Sequence, residues 1–556
     1  MSRGSASAAL AALAALTAAA CSPPPPGAAT GGEPWFVEEA TARGLAFEHR
    51  SGHDGERFFL PEILGGGAAL FDMDGDGDLD AYLVQSGSLH AEPGDRDPNR
   101  LFANDGAGHF ADVTDGSGAG DRGYGMGVAC ADVDGDGDTD LYVTNLGPDA
   151  LFANEGGGRF RDVGARFGGV PSGWGTSAAF LDADRDGFPD LYVCRYLAWK
   201  PQNELACQNA LSNPDYCSPL TYASPAPDVF LRNRGGRRFE DATAASGVAA
   251  EVATGLGVVC ADLDVDGRVD VFVANDAMPD LLWSNLGGGL FENVAPGAGC
   301  ERDRDGAVKA GMGVAAEDLD GNGLFDLLVC NLGGETDTLH LNRGEFFVDR
   351  AASTGLAAVS RRFTRFGVGL VDFDADGHLD LYEACGRVLA AARLHGDDPY
   401  AEPNLLLRGT PGPRFEEVSP RGGTAALLVA SSRAAAFGDV DGDGAVDVLV
   451  ANRDGPAHLL RNVAPGRGRW LLLRIVDRRG ADALNARVTL TVGDRTVTRE
   501  VRAASSYLAS SDPRVHVGLG TEEHARDVVV RFPDGTEERY GTLAAGEVHV
   551  LRQPDG

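Results

Sequence analysis

The chain has no run of basic residues able to track a phosphate backbone. Its 48 lysines and arginines stand against 83 acidic residues, a net charge of −35 at pH 7 with a pI near 4.6. Nucleic acid is therefore not an expected partner. Beyond the amino terminus no apolar run reaches the roughly 20 residues of a membrane-spanning helix. No C-x-x-C or C-x-x-C-H occurs, which leaves zinc-ribbon, thioredoxin-type and haem-attachment readings without support. Also missing are H-E-x-x-H, a G-x-S-x-G elbow, and any P-loop or dinucleotide glycine motif in a strand–turn–helix setting. The 11 histidines are scattered, and His53, His340 and His516 read as isolated packing or surface residues. No catalytic residue is assigned and no enzyme is expected.

What is present points to an all-β chain. At 556 residues it exceeds the usual domain size of about 150 several-fold, so a repeat array or several domains is expected. Its 77 glycines show no period of three and suit frequent tight turns. The amino terminus reads as an export segment, residues 1–20: Arg3 precedes the apolar run Ala8 to Ala20, which ends in small residues before Cys21. That ending resembles a bacterial lipobox, in which Cys21 is freed and acylated. Ala18 stands where leucine is usual, so an ordinary signal peptide remains the alternative. Residues 21–34, rich in proline, read as a tether. The expected location is the outer membrane as a lipoprotein, the periplasm or the cell surface, with membrane contact only through the lipid.

Eight cysteines remain after Cys21. Cys207 and Cys217, close together in a loop-like insertion, are the candidate disulfide. Cys130, Cys194, Cys260, Cys330 and Cys385 sit in apolar strand-like runs as small buried hydrophobes; Cys300 is not placed.

The pattern D-x-D-x-D/N-G-x-x-D occurs seven times, at intervals of 60, 50, 80, 56, 54 and 67 residues. Around the second copy, Gly125-Met-Gly-Val-Ala-Cys-Ala131 enters the loop and Leu141-Tyr-Val-Thr-Asn145 leaves it. Leu151 to Asn154 and Phe160 to Val163 then complete four short strands, the content of one propeller blade. The Phe-led fourth strand recurs at Phe110, Phe160, Phe239, Phe291, Phe347 and Phe415 but not after the seventh loop. Phe36-Val-Glu-Glu-Ala-Thr41 matches it, so an amino-terminal strand is expected to complete the last blade and close the ring.

Carboxylates at positions 1, 3, 5 and 9, with glycine at 6 for the sharp turn, suit a hard cation of calcium size. The loops differ from EF-hands in ending with aspartate at position 9 and in being flanked by strands. The ligand sets are Asp72, Asp74, Asp76 and Asp80; Asp132, Asp134, Asp136 and Asp140; Asp182, Asp184, Asp186 and Asp190; Asp262, Asp264, Asp266 and Asp270; Asp318, Asp320, Asn322 and Asp326; Asp372, Asp374, Asp376 and Asp380; and Asp439, Asp441, Asp443 and Asp447. They contain 27 aspartates, about a third of the 83 acidic residues, and so account for the acidity. Up to seven calcium ions are expected, as structural staples.

The Gly-x-Gly strands, the Asp-rich loops and the trailing N-x-G-x-G-x-F strands resemble FG-GAP/VCBS repeats of integrin-type seven-bladed propellers. Cys207 to Cys217 followed by Pro219, Tyr400-Ala-Glu-Pro-Asn404, and Ser432-Arg433 before Phe437-Gly438-Asp439 are similar to segments of bacterial relatives of cartilage acidic protein. After the last repeat, Asn485-Ala-Arg-Val488, Tyr507-Leu-Ala-Ser-Ser511, Val515-His-Val-Gly-Leu-Gly520 and Phe532-Pro-Asp-Gly535 resemble the ASPIC/UnbV domain. The resemblance implies a seven-bladed β-propeller over residues 35–466 and a small β-rich domain over 467–556.

Binding is expected to use the insertions. Tyr196, Trp199, Tyr216 and Tyr222 lie in the longest interval and are candidates to grip a sugar ring or partner protein, against the alternative that they cover the blade edge. The reading is a calcium-stabilised binding or adhesion protein with a protein or glycan ligand at the cell surface. A propeller-based polysaccharide lyase or hydrolase, and a purely structural scaffold, are the alternatives.

Overall fold

The computed structural model describes residues 32–391 and 397–555. The export segment, Cys21 and most of the tether lie outside the described residues.

Seven four-stranded antiparallel meanders make up the larger part of the chain. In the second, Gly125–Ala131, Asp140–Pro148, Ala150–Asn154 and Phe160–Asp162 pair in chain order. The others repeat this order, and the seventh takes its outer strand from the amino terminus: Phe36–Glu38 pairs antiparallel with His458–Asn462. The entering strands neighbour one another in a closed cycle, from Ala68–Phe71 through each blade to Ser432–Gly438 and back. Blades 2 and 3 are further joined where Ser172–Trp174 pairs with Leu146–Pro148.

The strands read as continuous apolar runs rather than alternating ones because each blade is covered on both faces. Asp140 to Asn145 and Asp270 to Asn275 are buried at every position. The cores accordingly lie between blades: Phe71, Tyr82, Cys130 and Phe152 pack blade 1 on blade 2, and Val258, Val271, Phe230 and Trp283 pack blade 3 on blade 4. Near the axis the blades crowd, which explains the Gly-x-Gly entry. A Cβ on Gly257 would stand 2.1 Å from the Met312 carbonyl oxygen, and one on Gly313 would stand 1.9 Å from that of Phe366. Cys130, Cys194, Cys260, Cys300, Cys330 and Cys385 are all buried free thiols, and Cys207 and Cys217 form a disulfide.

The carboxy-terminal segment folds as two packed sheets. One orders Val515–Gly520, Arg469–Val476 and Val548–Arg552; the other orders Arg495–Glu500, Arg487–Val492, His524–Arg531 and Glu537–Ala544. Leu471, Leu473, Val488, Leu490, Val517 and Val530 form the core between them.

One segment of this domain leaves it and fills the propeller axis. Ala509–Ser510 adds a parallel strand to Ala68–Phe71 of blade 1. Leu508 accepts from Val128 N and its N–H donates to Ser177 Oγ at 2.9 Å, while Ser506 exchanges backbone bonds with Val314 at 2.7 and 3.0 Å. The Ser506 hydroxyl accepts from Val368 N and donates to the Ala435 carbonyl. A single segment is thereby bonded to six blades at their small-residue strands. Among the described residues, no helix is long and apolar enough to cross a membrane.

Candidate metal centres and an interdomain cleft

Every aspartate loop is built by the same bonds. The position-1 carboxylate accepts the N–H of the position-6 glycine at 2.8–3.1 Å in all seven. The position-5 side-chain oxygen accepts the N–H of position 7 at 2.7–3.1 Å. Both oxygens of the position-9 aspartate are engaged. One accepts the position-2 N–H at 2.8–3.2 Å. The other accepts an N–H at the end of the blade's third strand at 2.7–2.9 Å. Position 9 thus anchors the loop to its own blade, using one lone pair per oxygen and leaving the others.

Position 3 differs. Asp134, Asp184, Asp320 and Asp441 each carry an Oδ1 that is shielded from solvent and accepts no hydrogen bond, as do Asp262 and Asp439 at position 1. An orphaned buried carboxylate oxygen costs several kcal/mol unless something positive meets it. Oxygens of Asp72, Asp74 and Asp80 lie within 4.8 Å of one another, as do those of Asp132, Asp134 and Asp136, of Asp182, Asp184 and Asp186, and of Asp262, Asp264 and Asp270. Burial, reinforced by neighbouring aspartates, pushes Asp182 and Asp372 up to about 7 and Asp140 and Asp190 up to about 8. Arginines reach the outer oxygens of several loops, Arg232 that of Asp184 at 3.5 Å and Arg43 that of Asp441 at 3.5 Å, and leave the inward Oδ1 atoms unpaired; a crowded, all-oxygen donor set of this kind fits a hard divalent cation.

An asparagine joins each loop to the next blade. Asn104, Asn154, Asn233, Asn285, Asn342 and Asn462 end the third strands and donate from Nδ2 to the position-2 carbonyl of the preceding loop at 2.7–2.9 Å. Asn104 reaches Val440, across the seam that closes the ring. Only blade 6 lacks the bond: Gly409 stands there, and a Cβ on it would lie 2.1 Å from the Leu379 oxygen. The N-x-G spacing was legible in the sequence, but nothing in it announced a bond to another repeat.

The carboxy-terminal domain sits on the loop face. Position-6 carbonyls receive its side chains: Gly77 from Arg514 at 3.1 Å, Gly444 from His516 at 3.0 Å, Gly323 from Arg487 and Gly377 from Arg495. Beside loops 1, 2 and 3 the two domains leave a cavity of about 670 Å³, lined among others by Arg474, Arg478, Arg479, Arg514, Phe188 and Val550. Arg479 lies over the Phe188 ring at 4.4 Å, Arg478 pairs with Asp534 at 2.8 Å, and Arg474 pairs with Asp482 at 3.0 Å and Asp72 at 3.7 Å. Four of its five arginines belong to the carboxy-terminal domain, three of them between positions 474 and 479, but nothing in that stretch announced that it faces the aspartate loops.

The insertion aromatics are a correction to the expected binding role. Tyr196, Trp199 and Tyr216 are 1%, 6% and 2% exposed, and Tyr222 is half-buried. Tyr196 donates to Asp276 at 2.6 Å, Trp199 Nε1 to Glu204 at 3.0 Å, Tyr216 to Glu62 at 3.1 Å and Tyr222 to Glu204. With Trp174 and Tyr400 they cover the end of the axis away from the loops. Their rings also pack on the amino-terminal segment, Tyr216 against Phe58 at 5.2 Å and Trp199 against Phe59 at 6.1 Å, which keeps water from them.

Comparison with known proteins follows the same division. Residues 477–556 match the family described as ASPIC and UnbV, and residues 72–143, 132–193 and 262–329 match the FG-GAP-like repeat. Cartilage acidic protein 1 of Homo sapiens is 27% identical over 60% of this chain and 50% of its own, and that of Mus musculus is 27% identical over 58% and 49%. The chain spans about half the length of the curated relatives it matches. Among solved structures, an Agrocybe aegerita lectin specific for non-reducing terminal N-acetylglucosamine is 16% identical, with a TM-score of 0.40 over 70% of this chain and 86% of its own. The exotype rhamnogalacturonan lyase YesX is 13% identical, with a TM-score of 0.35 over 71% of each. Likeness at that level does not bear on what this chain binds. The chain is an FG-GAP-repeat β-propeller protein with a carboxy-terminal ASPIC and UnbV domain, homologous to cartilage acidic protein 1.

Proposed function

We propose that this is an exported, calcium-stabilised binding or adhesion protein that engages a protein or glycan at the cell envelope, held there through acylated Cys21. The observation that carries the calcium reading is the orphaned position-3 oxygen, repeated in four loops on a backbone that otherwise satisfies its donors. Two carboxylates about 4 Å apart repel by roughly 4 kcal/mol at an effective dielectric near 20. A divalent ion reverses that sign, and because the unfolded chain lacks the site, its binding adds to folding stability. When bound, calcium supplies charge neutralisation and a fixed loop shape; the chain's own aspartates orient it, and the position-6 glycines pass that shape to the docked domain.

The ligand surface we favour is the interdomain cleft, which has volume, an aromatic face and several guanidinium groups, rather than the buried insertion aromatics. Arg474, Arg478, Arg479 and Arg514 pair there with Asp482, Asp534, Asp477 and Asp512; with the adjoining loops filled, Arg185 leaves the lining with a small positive excess, which suits an acidic saccharide or peptide. A glycan array probed with the mature protein in calcium and in chelator tests this: calcium-dependent retention of acidic glycans, lost in Arg478→Ala/Arg479→Ala, is expected. Equal retention by that double variant would refute the cleft.

A further inference from the structure

The internal repeat provides its own control for one buried cluster. In blades 2 and 3 an aspartate precedes the third strand, and its Oδ2 accepts a tyrosine hydroxyl from the same blade: Asp149 from Tyr142 and Asp228 from Tyr192, each at 2.7 Å. Asp337 is the blade 5 equivalent, but Leu328 stands in the tyrosine's place, so Asp337 Oδ2 receives no tyrosine hydroxyl and its carboxyl meets that of Glu383 instead. Across the seam, Glu383 of blade 6 turns its carboxyl toward Asp337, an acid pair with no N–H donor on Glu383 Oε2, and the Cys330 thiol donates to Glu383 Oε1 at 3.6 Å. Ligand atoms of Cys330, Asp337 and Glu383 lie within 4.8 Å of one another, and all three residues are 0% exposed. This is also the seam at which Gly409 replaces the joining asparagine.

We propose that Cys330, Asp337 and Glu383 bind one divalent cation of the zinc class, tying blade 5 to blade 6. A tetrahedral ion with a sulfur at about 2.3 Å and an oxygen at about 2.0 Å sets those atoms about 3.5 Å apart, which the Cys330–Glu383 separation matches. Charge closes as well. Arg365 Nε and Nη2 donate to Asp337 Oδ1 at 2.8 and 2.5 Å, so its single positive charge and the ion's two balance one thiolate and two carboxylates. The thiolate separates this site from the all-oxygen loops, since a sulfur ligand selects a softer ion than calcium.

Cobalt(II) titration of the chelator-treated full chain, with millimolar calcium present, tests the assignment. One equivalent of cobalt, a thiolate-to-cobalt charge-transfer absorption, and displacement of both by zinc are expected. Cys330→Ser should abolish that absorption, and Glu383→Gln, followed alongside near-UV circular dichroism to verify folding, should weaken zinc affinity at least about ten-fold. Absence of the absorption in the folded wild type, or its persistence in Cys330→Ser, would overturn the site. If Cys330→Ser does not fold, the Glu383→Gln affinity decides alone. Calcium gives no such absorption, so the loop reading stands or falls separately.

Discussion

Replacing Asn154 by alanine removes a bond between two repeats without touching an aspartate. Its Nδ2 donates to Met73 O of blade 1 at 2.7 Å and to Thr139 O of its own blade at 3.1 Å, and its Oδ1 accepts Gly156 N at 3.1 Å. The side chain is 2% exposed, so water does not readily replace it. Each hydrogen bond contributes about 1 kcal/mol net, and stranding buried carbonyls adds desolvation, which together predict a loss of about 2–4 kcal/mol. Scaled by about 2 cal/mol/K per residue, the apparent Tm of a ring this large moves by about 1 °C per kcal/mol, hence by about 2–5 °C. Urea unfolding followed by tryptophan fluorescence, with differential scanning calorimetry, reads both quantities. Asn104→Ala, which acts at the closing seam through Val440 O at 2.8 Å, should cost a similar amount if the ring is continuous there. A cost below about 0.5 kcal/mol for Asn154→Ala would refute the reasoning, because an uncoupled surface substitution falls in that range.

Chelation should lower the Tm by up to about 10 °C. At 1 mM calcium and a dissociation constant near 0.1 mM, each loop gains about 1.4 kcal/mol, and seven loops share the effect; Asp134→Asn should release one ion by equilibrium dialysis. Leu508, 1% exposed in the axial segment, should cost about 3 kcal/mol when replaced by alanine, measured by urea unfolding. Burial holds His340 well below the ordinary histidine range. Below about pH 6.5 the unfolded chain then takes up a proton that the folded one refuses, so stability falls as pH falls, by about 1.4 kcal/mol per unit until the folded pKa is reached. His340→Leu should flatten that part of the pH–stability curve relative to wild type, and an unchanged slope would remove His340 as its source.

Local chemistry made much of this protein legible. Aspartates two residues apart around a glycine can only form a tight acidic loop, and seven copies with four strands apiece specify a repeating β-architecture. Phe36 could be assigned to the last blade because a missing strand and an extra strand are both visible in one dimension. For the insertion aromatics the sequence left two readings open, ligand grip or cover for the blades, for the opposite reason. Whether Tyr196 and Tyr216 face water depends on Asp276 and Glu62, which lie far away in the chain, and no local pattern encodes that distance.

The sequence by itself therefore determined the loops, the strands and the turn chemistry, because these depend on neighbours a few residues apart. Tertiary structure alone decided that six asparagines tie six of the seven loops to the blade that follows, that Ser506 to Ser510 fill the axis, and that Arg474, Arg478 and Arg479 face the loops across a cleft. Closing a ring brings together groups hundreds of residues apart, and only closure fixes which donors, acceptors and charges then meet.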